Sequence, residues 1–145
     1  GTNRRFDARS HASFWHMSLR RAALPALAAT ALLLTACTPA EFAREQTAAD
    51  RPDSVVAGAD GSVDVATLRY VGKADAYDVY LARAADDSER LCLSLTLDDV
   101  WQTTECEWDA VSVRISDTAS VVADLNYRSG EGRDMISDNV WVSRK

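Results

Sequence analysis

Residues 63–145 of this chain are predicted to form an all-β domain, and three observations favour that prediction. Apolar and polar residues alternate with a period of two in residues 77–83 and 91–97, which is typical of strands with one buried face. Clusters of Gly, Asp and Ser separate the apolar runs, mostly at intervals shorter than the roughly dozen residues of a parallel crossover. Helix signals are few. We therefore expect a small antiparallel meander, partial barrel or sandwich of about six or seven strands.

The predicted strands follow one another along the chain with turns between them. In residues 91–97, four leucines alternate with Cys92, Ser94 and Thr96. We therefore expect the leucines to face a core and the thiol to lie on the less apolar face. Asp98 and Asp99 mark a turn, and residues 129–138 form the longest connection. The predicted strands are residues 68–71, 77–83, 91–97, 101–106, 111–116, 121–127 and 140–143.

Residues 17–36 are predicted to be a removable signal peptide. Met17 is followed by Arg20 and Arg21 and then by an apolar run ending at Leu34, which is the basic-then-apolar order of an export signal. This run is shorter than the roughly 20 apolar residues that a membrane-spanning helix needs. Residues 1–16 are interpreted as an upstream leader outside the mature protein. A short cytoplasmic segment before a retained anchor is the alternative.

The residues that end the apolar run, Leu34, Thr35, Ala36 and Cys37, resemble the lipobox of bacterial lipoproteins. In that family the cysteine thiol receives a diacylglyceryl group and becomes the first residue after cleavage. The resemblance implies lipidation of Cys37, cleavage after Ala36 and a location on the outer face of the cell membrane. An ordinary secretory signal followed by a chance cysteine is the alternative.

Residues 37–62 are interpreted as the lipidated cysteine followed by a flexible tether. The segment after Cys37 is poor in large apolar residues and rich in turn formers, although residues 41–49 are compatible with a brief helix. About 25 flexible residues reach on the order of 25–30 Å. Such a tether would lift the domain clear of the lipid head groups.

Cleavage after Ala36 would leave a strongly acidic protein. Five of the 16 basic residues and one of the 22 acidic residues precede Cys37, so residues 37–145 carry a net charge of −10. This charge argues against a nucleic-acid partner and against adsorption on anionic lipid through a basic patch. We therefore expect the lipid on Cys37 to hold the protein at the membrane. The simplest role of the negative charge is to keep the protein soluble.

Export also bears on the cysteines. Apart from Cys37, the chain has two cysteines, Cys92 and Cys106, and disulfides persist outside the cytoplasm. We predict a disulfide between neighbouring strands. In the chain-entropy model, closing this loop stabilises the folded state by about 3 kcal/mol. Two free buried thiols are the alternative.

The composition of residues 37–145 excludes the commonest catalytic arrangements. Both histidines, His11 and His16, precede Cys37, so a Ser-His-Asp or Cys-His hydrolase and a His-bearing zinc site are excluded. Cys-x-x-Cys and phosphate-binding glycine motifs are absent from the sequence. We expect no metal and no cofactor.

Carboxylates and aromatic residues are what remains. Paired carboxylates can hydrolyse glycosides, and the candidates are Asp98, Asp99, Glu105, Glu107 and Asp109; solvation of a hairpin surface is the simpler account. Loops with adjacent aspartates, at residues 86–87 and 98–99, offer oxygen ligands for calcium but lack the spacing of an EF-hand. The candidate binding aromatics are Trp101, Trp108 and Trp141, although covering the core is the more ordinary role of such residues.

Several strings of the β-domain, within residues 68–72, 77–83, 91–93 and 136–142, are similar to uncharacterised small lipoproteins of high-GC Gram-positive bacteria. This resemblance implies an exported β-domain and supplies no site residues. We predict a non-enzymatic binding or accessory module of the cell envelope, with an envelope protein or a cell-wall glycan as partner. The alternatives are a carbohydrate hydrolase with paired carboxylates and a solute-binding lipoprotein, although the latter are usually several times larger.

Overall fold

The computed structural model describes residues 38–127 and 133–145, and it confirms the all-β class. The leader, the signal peptide and the lipobox with Cys37 lie outside the described residues. Within them there are eight strands, where six or seven were predicted. The helical segments are α1 (Ala40–Ala43), a 3-10 turn (Ala48–Asp50) and α2 (Asp53–Gly58), and the strands are β1 (Val63–Ala74), β2 (Tyr77–Ala84), β3 (Leu91–Leu97), β4 (Val100–Glu107), β5 (Ala110–Arg114), β6 (Ala119–Asp124), β7 (Asp134–Ser137) and β8 (Val140–Arg144).

The strands form two antiparallel sheets of four strands each. Sheet A has the order β1-β2-β3-β4, which is a simple meander. Sheet B has the order β5-β6-β8-β7, so β8 lies between β6 and β7 and the meander does not continue through it. Strand β7 lies inside the connection predicted for residues 129–138. The sheets are not closed into a barrel, and the sandwich is the predicted arrangement that describes them best.

The main core lies between the two sheets. Strands β2, β3, β5, β6 and β8 contribute alternate residues to it, as the period of two predicts. Gly72 brings β1 close to β7, because a Cβ atom at position 72 would lie 2.7 Å from Cγ2 of Ile136. The largest buried contributors are Val79, Leu81, Leu91, Leu93 and Leu95 from sheet A and Val111, Val121 and Val140 from sheet B.

Strand β3 is buried on both faces, which corrects the prediction of a half-buried strand. Residues 91–96 are all buried, and Cys92 belongs to a second apolar cluster on the outer face of sheet A. Helix α2 covers that face through Val55, which is fully buried. A side chain at Gly58 would overlap the ring of Trp101, so glycine allows the helix to lie directly on β4. The Cys92 side chain therefore faces a second core.

The disulfide and the hairpin beside it agree with the sequence predictions. Cys92 on β3 lies directly opposite Cys106 on β4, and the two are joined. Asp98 and Asp99 form the two-residue turn between these strands, with φ angles of 50° and 61°. Positive φ at both positions matches the right-handed twist of a hairpin, and aspartate tolerates this conformation better than most residues.

The flexible tether predicted for residues 37–62 is wrong for the part that the structure describes. Residues 39–62 form a strap that packs on sheet A and contacts sheet B, and we call it the N-terminal strap. Val55 and Asp50 within it are at most 1% exposed. The prediction failed because the strap has few large apolar residues, and polar side chains attach it to the backbone of β1.

The attachment covers the outer edge of β1, the first strand of sheet A. The Asp50 carboxylate accepts hydrogen bonds from the backbone N–H groups of Tyr70, at 2.7 Å, and Thr47, at 2.6 Å. Arg44 donates to Asp50 Oδ2 at 2.7 Å and to the Tyr70 carbonyl oxygen at 2.8 Å. The pair thus satisfies both backbone groups of Tyr70 at a free sheet edge, as a neighbouring strand would.

Two further side chains complete the attachment of the strap. Gln46 donates from Nε2 to the carbonyl oxygens of Val65, at 2.7 Å, and Leu68, at 2.9 Å, where β1 bulges away from β2. Glu41 Oε1 accepts hydrogen bonds from the Ser137 hydroxyl, at 2.6 Å, and the Asn139 backbone N–H, at 3.0 Å. Glu41 therefore joins the strap to the turn between β7 and β8 in sheet B.

We expect Asp50→Asn to lower the free energy of unfolding by about 1.5–3 kcal/mol near neutral pH, because it removes charge-assisted hydrogen bonds at a buried site. Burial alone would raise the pKa of Asp50, but the hydrogen bonds from Arg44, Thr47 and Tyr70 outweigh it and hold this pKa well below its usual range. Because the pKa of Asp50 in the folded protein lies below its unfolded value of about 3.9, ionised Asp50 stabilises the fold above that pH. This contribution is lost progressively as the pH falls below it.

Urea unfolding near neutral pH and at about pH 3 would measure the loss of stability in Asp50→Asn and its dependence on pH. The stability difference between Asp50→Asn and the unchanged protein should shrink at the lower pH, because the wild-type carboxylate then loses part of its advantage. Asp60→Asn is the matched control, since Asp60 is exposed and its φ of 47° suits asparagine. Equal losses for the two variants would contradict the role of Asp50.

Candidate functional site

An open cleft lies at one end of the two sheets, where connections from both meet. Its volume is about 510 Å³, which falls within the range of small-ligand sites. Four separate segments line it: the start of the strap, the end of β2 with the β2–β3 turn, the β4–β5 connection and the residues after β6. The lining residues are Pro39, Arg83, Ser88, Glu89, Trp108, Asp109, Leu125 and Asn126.

Trp108 is the largest exposed side chain of this cleft. It is 56% exposed and follows the last residue of β4, where the chain leaves sheet A for sheet B. Asp109 comes next, and β5 begins at Ala110. The indole is therefore exposed where the chain passes between the sheets. Among the predicted binding aromatics, Trp108 is the one that the structure places at a cleft.

Arg83 supplies a cation to the lining of the cleft. Its guanidinium carbon lies 4.9 Å from the centre of the Phe42 ring in α1, and Nη1 donates to the Glu89 carbonyl oxygen at 3.4 Å. Partial burial lowers the pKa of Arg83, but an unperturbed arginine pKa lies so far above neutral pH that the group stays charged. The cleft therefore combines an indole, a fixed cation and the carboxyl groups of Glu89 and Asp109.

The other two candidate tryptophans serve the fold. Trp101 is half-buried beneath α2, and its Nε1 donates to the Thr104 hydroxyl at 3.1 Å. Trp141 is 6% exposed and packs against Tyr127 with a ring separation of 4.5 Å. Arg133 lies over both of those rings, at 4.1 Å from Tyr127 and 4.3 Å from Trp141. Neither tryptophan lines the cleft.

The carboxylates considered for catalysis are not gathered into one group. Glu105 and Glu107 are exposed on β4 and do not line the cleft, and Asp98 and Asp99 lie at the turn between β3 and β4, at the other end of β4. Of these five, Asp109 alone lines the cleft, which Glu89 lines as well. In the described ranges 38–127 and 133–145, no three His, Cys, Asp or Glu side chains come together as a metal site would require.

A second hollow, of about 250 Å³, lies beside Glu41 and Arg44 between the strap and the β7–β8 turn. The Glu41 Oε2 atom is buried and has no hydrogen-bond partner, while Oε1 holds Ser137 and Asn139. Arg44 is already engaged by Asp50 and Tyr70. The polar groups of this hollow therefore attach the strap to the sheets, and we assign it a structural role.

Sequence reasoning found Trp108 and Asp109 but missed Arg83, Glu89 and Asn126. These three belong to different connections, and the spacing of residues along the chain does not reveal which loops meet in space. Pro39 was missed for another reason, because its segment was interpreted as a tether. The sequence signal for the missed residues is limited to the polar turn predicted at residues 84–89, which contains Glu89.

No helix among the described residues is long and apolar enough to cross a membrane. Comparisons with protein-family models, with curated proteins and with solved structures found no match to this chain.

Proposed function

We propose that this chain is an extracytoplasmic lipoprotein, anchored to the membrane through a lipid on Cys37, whose β-domain is a non-enzymatic binding or accessory module of the cell envelope. The lipobox residues Leu34, Thr35, Ala36 and Cys37 support the anchor. The disulfide between Cys92 and Cys106 supports export, because such bonds persist outside the cytoplasm.

The observation that carries the binding role is the cleft around Trp108. It is open, and its lining offers an indole surface, hydrogen-bonding groups and charges of both signs. An indole can stack on a sugar ring or on a partner's side chain, and exposed tryptophans are enriched where proteins bind one another. The partner classes that fit are an envelope protein and a cell-wall glycan. Residues 38–145 contain no histidine, which argues against an activated nucleophile at this cleft.

The anchor is tested by Cys37→Ser. This variant should lose the incorporation of labelled fatty acid and move from the membrane fraction to the soluble fraction, because stable attachment requires the acyl chains. Thr38→Ser is the matched control, since it changes the next residue and leaves the thiol in place. Unchanged membrane retention of Cys37→Ser, with no fatty acid on the unchanged protein, would refute the anchor.

The partner is tested by photo-crosslinking in cells. A photoreactive amino acid in place of Asn126, at the cleft, should give a discrete adduct that carries an envelope protein or a glycan. The same amino acid in place of Ser112, which is exposed on β5 away from the cleft lining, is the control. Trp108→Ala combined with the probe at position 126 should reduce the adduct. Equal adducts from both positions would argue against the cleft as the binding site.

A hydrolase of cell-wall carbohydrate is the second candidate, and one observation favours it: the carboxyl groups of Glu89 and Asp109 line the same cleft. Two carboxylates suffice for glycoside hydrolysis when about 5–10 Å separates them. If this proposal holds, Glu89→Gln and Asp109→Asn should each reduce sugar release from purified wall by at least about a hundredfold. Glu105→Gln, outside the cleft, should leave it unchanged. No release by the unmutated protein would dismiss the hydrolase.

A further inference from the structure

We infer that the cleft end of the domain lies against the outer surface of the bilayer, with Trp108 at the level of the lipid head groups. This inference rests on the proposed lipidation of Cys37 and names the surface that the Trp108 rim contacts. It replaces the picture of a domain raised on a long tether. Three observations carry it: the shortness of the link, the side of the domain where the link begins, and the chemistry found there.

The link is short because the strap is fixed from Pro39 onward. The Pro39 carbonyl oxygen accepts hydrogen bonds from the backbone N–H groups of Phe42, at 3.0 Å, and Ala43, at 3.1 Å. Glu41, in the same helix, is held by the turn between β7 and β8. Thr38 alone separates Pro39 from Cys37, and two residues span at most about 7 Å. Pro39 would therefore lie within about 7 Å of the Cα atom of Cys37, whose side-chain sulfur would carry the lipid.

The link begins at the cleft end of the domain. Pro39 lines the same cleft as Trp108, Leu125 and Asn126. Trp101 marks the opposite end, because it follows the Asp98–Asp99 turn at the start of β4, whereas Trp108 follows the last residue of that strand. Seven residues of β-strand extend about 23 Å. One tryptophan thus lies just past the end of β4 beside the proposed anchor, and another lies near the start of β4, far from it.

The surface around Pro39 suits a lipid interface without requiring anionic lipid. An indole is apolar along its body and polar at its N–H, so tryptophan collects at the head-group level of membranes. Arg83 accompanies it with a positive charge, while Glu89 and Asp109 contribute negative charges. This mixture fits zwitterionic head groups, and it agrees with the net charge of −10 for residues 37–145, which disfavours anionic ones. A partner that enters the cleft must then do so at the membrane surface.

Quenching of tryptophan emission by brominated lipid tests this orientation. The full chain is expressed in a bacterial host, and the processed lipoprotein is reconstituted in phosphatidylcholine vesicles with brominated or ordinary acyl chains. Processing removes Trp15, so the emission comes from Trp101, Trp108 and Trp141. We expect brominated lipid to quench the unchanged protein. Trp108→Phe should lose most of that quenching, whereas Trp101→Phe should keep it.

A spacer variant tests whether the short link causes the contact. About ten Gly and Ser residues inserted between Thr38 and Pro39 would add a reach of roughly 17 Å, and quenching should fall. Unchanged quenching in that variant would overturn the role of the link. Vesicle-bound protein in which brominated lipid does not quench Trp108 would overturn the orientation and leave the anchor standing. Protein that carries no lipid and does not float with the vesicles would overturn the anchor, and this inference with it.

Discussion

The ion pair between Arg44 and Asp50 closes an edge that the rest of the fold leaves open. Strand β1 is the first strand of sheet A, and its outer backbone groups have no neighbouring strand. The two side chains satisfy the N–H and the carbonyl oxygen of Tyr70 together. Exposed edges of this kind invite pairing with other chains, and covering them is a common protection. Because the same contacts fix the strap on sheet A, they also give β3 its second buried face.

The buried second face changes how a domain of this size obtains its stability. Small domains bury a smaller share of their surface, so one layer of core between two sheets is modest. The strap adds Val55 and Ala59 against Leu68 and Cys92 on the outer face of sheet A. The disulfide lies within that second layer and stabilises the β3–β4 hairpin by restricting the unfolded chain. Strap and disulfide therefore reinforce the same pair of strands.

The parts of the fold that the sequence predicts are those set by local patterns. Alternation gives β2 and β3, and the adjacent aspartates give the turn at Asp98 and Asp99, because each depends on neighbouring residues only. The strap escaped prediction because Gln46 and Asp50 act on backbone atoms of β1 about twenty residues away, and such contacts leave no period in the sequence. Strand β7 escaped because it is short and lies within a polar connection. The cleft was predicted only in part, because its residues come from four separate segments of the chain.

The two ends of the domain are built differently, and this difference determines what the site can contact. Two tight turns, at residues 75–76 and 98–99, form one end of sheet A. Each is two residues long, and the positive φ angles at Asp75, Asp98 and Asp99 restrict which residues these positions accept. At the other end, where the strap also begins, the longer β2–β3 connection and the residues after β6 meet the two-residue β4–β5 connection. Binding residues concentrate on such connections because a rigid scaffold positions them while their own sequence stays free to vary. Under the proposed anchor at Cys37, this end of the domain faces the attachment point, and the tight turns of sheet A lie at the other end.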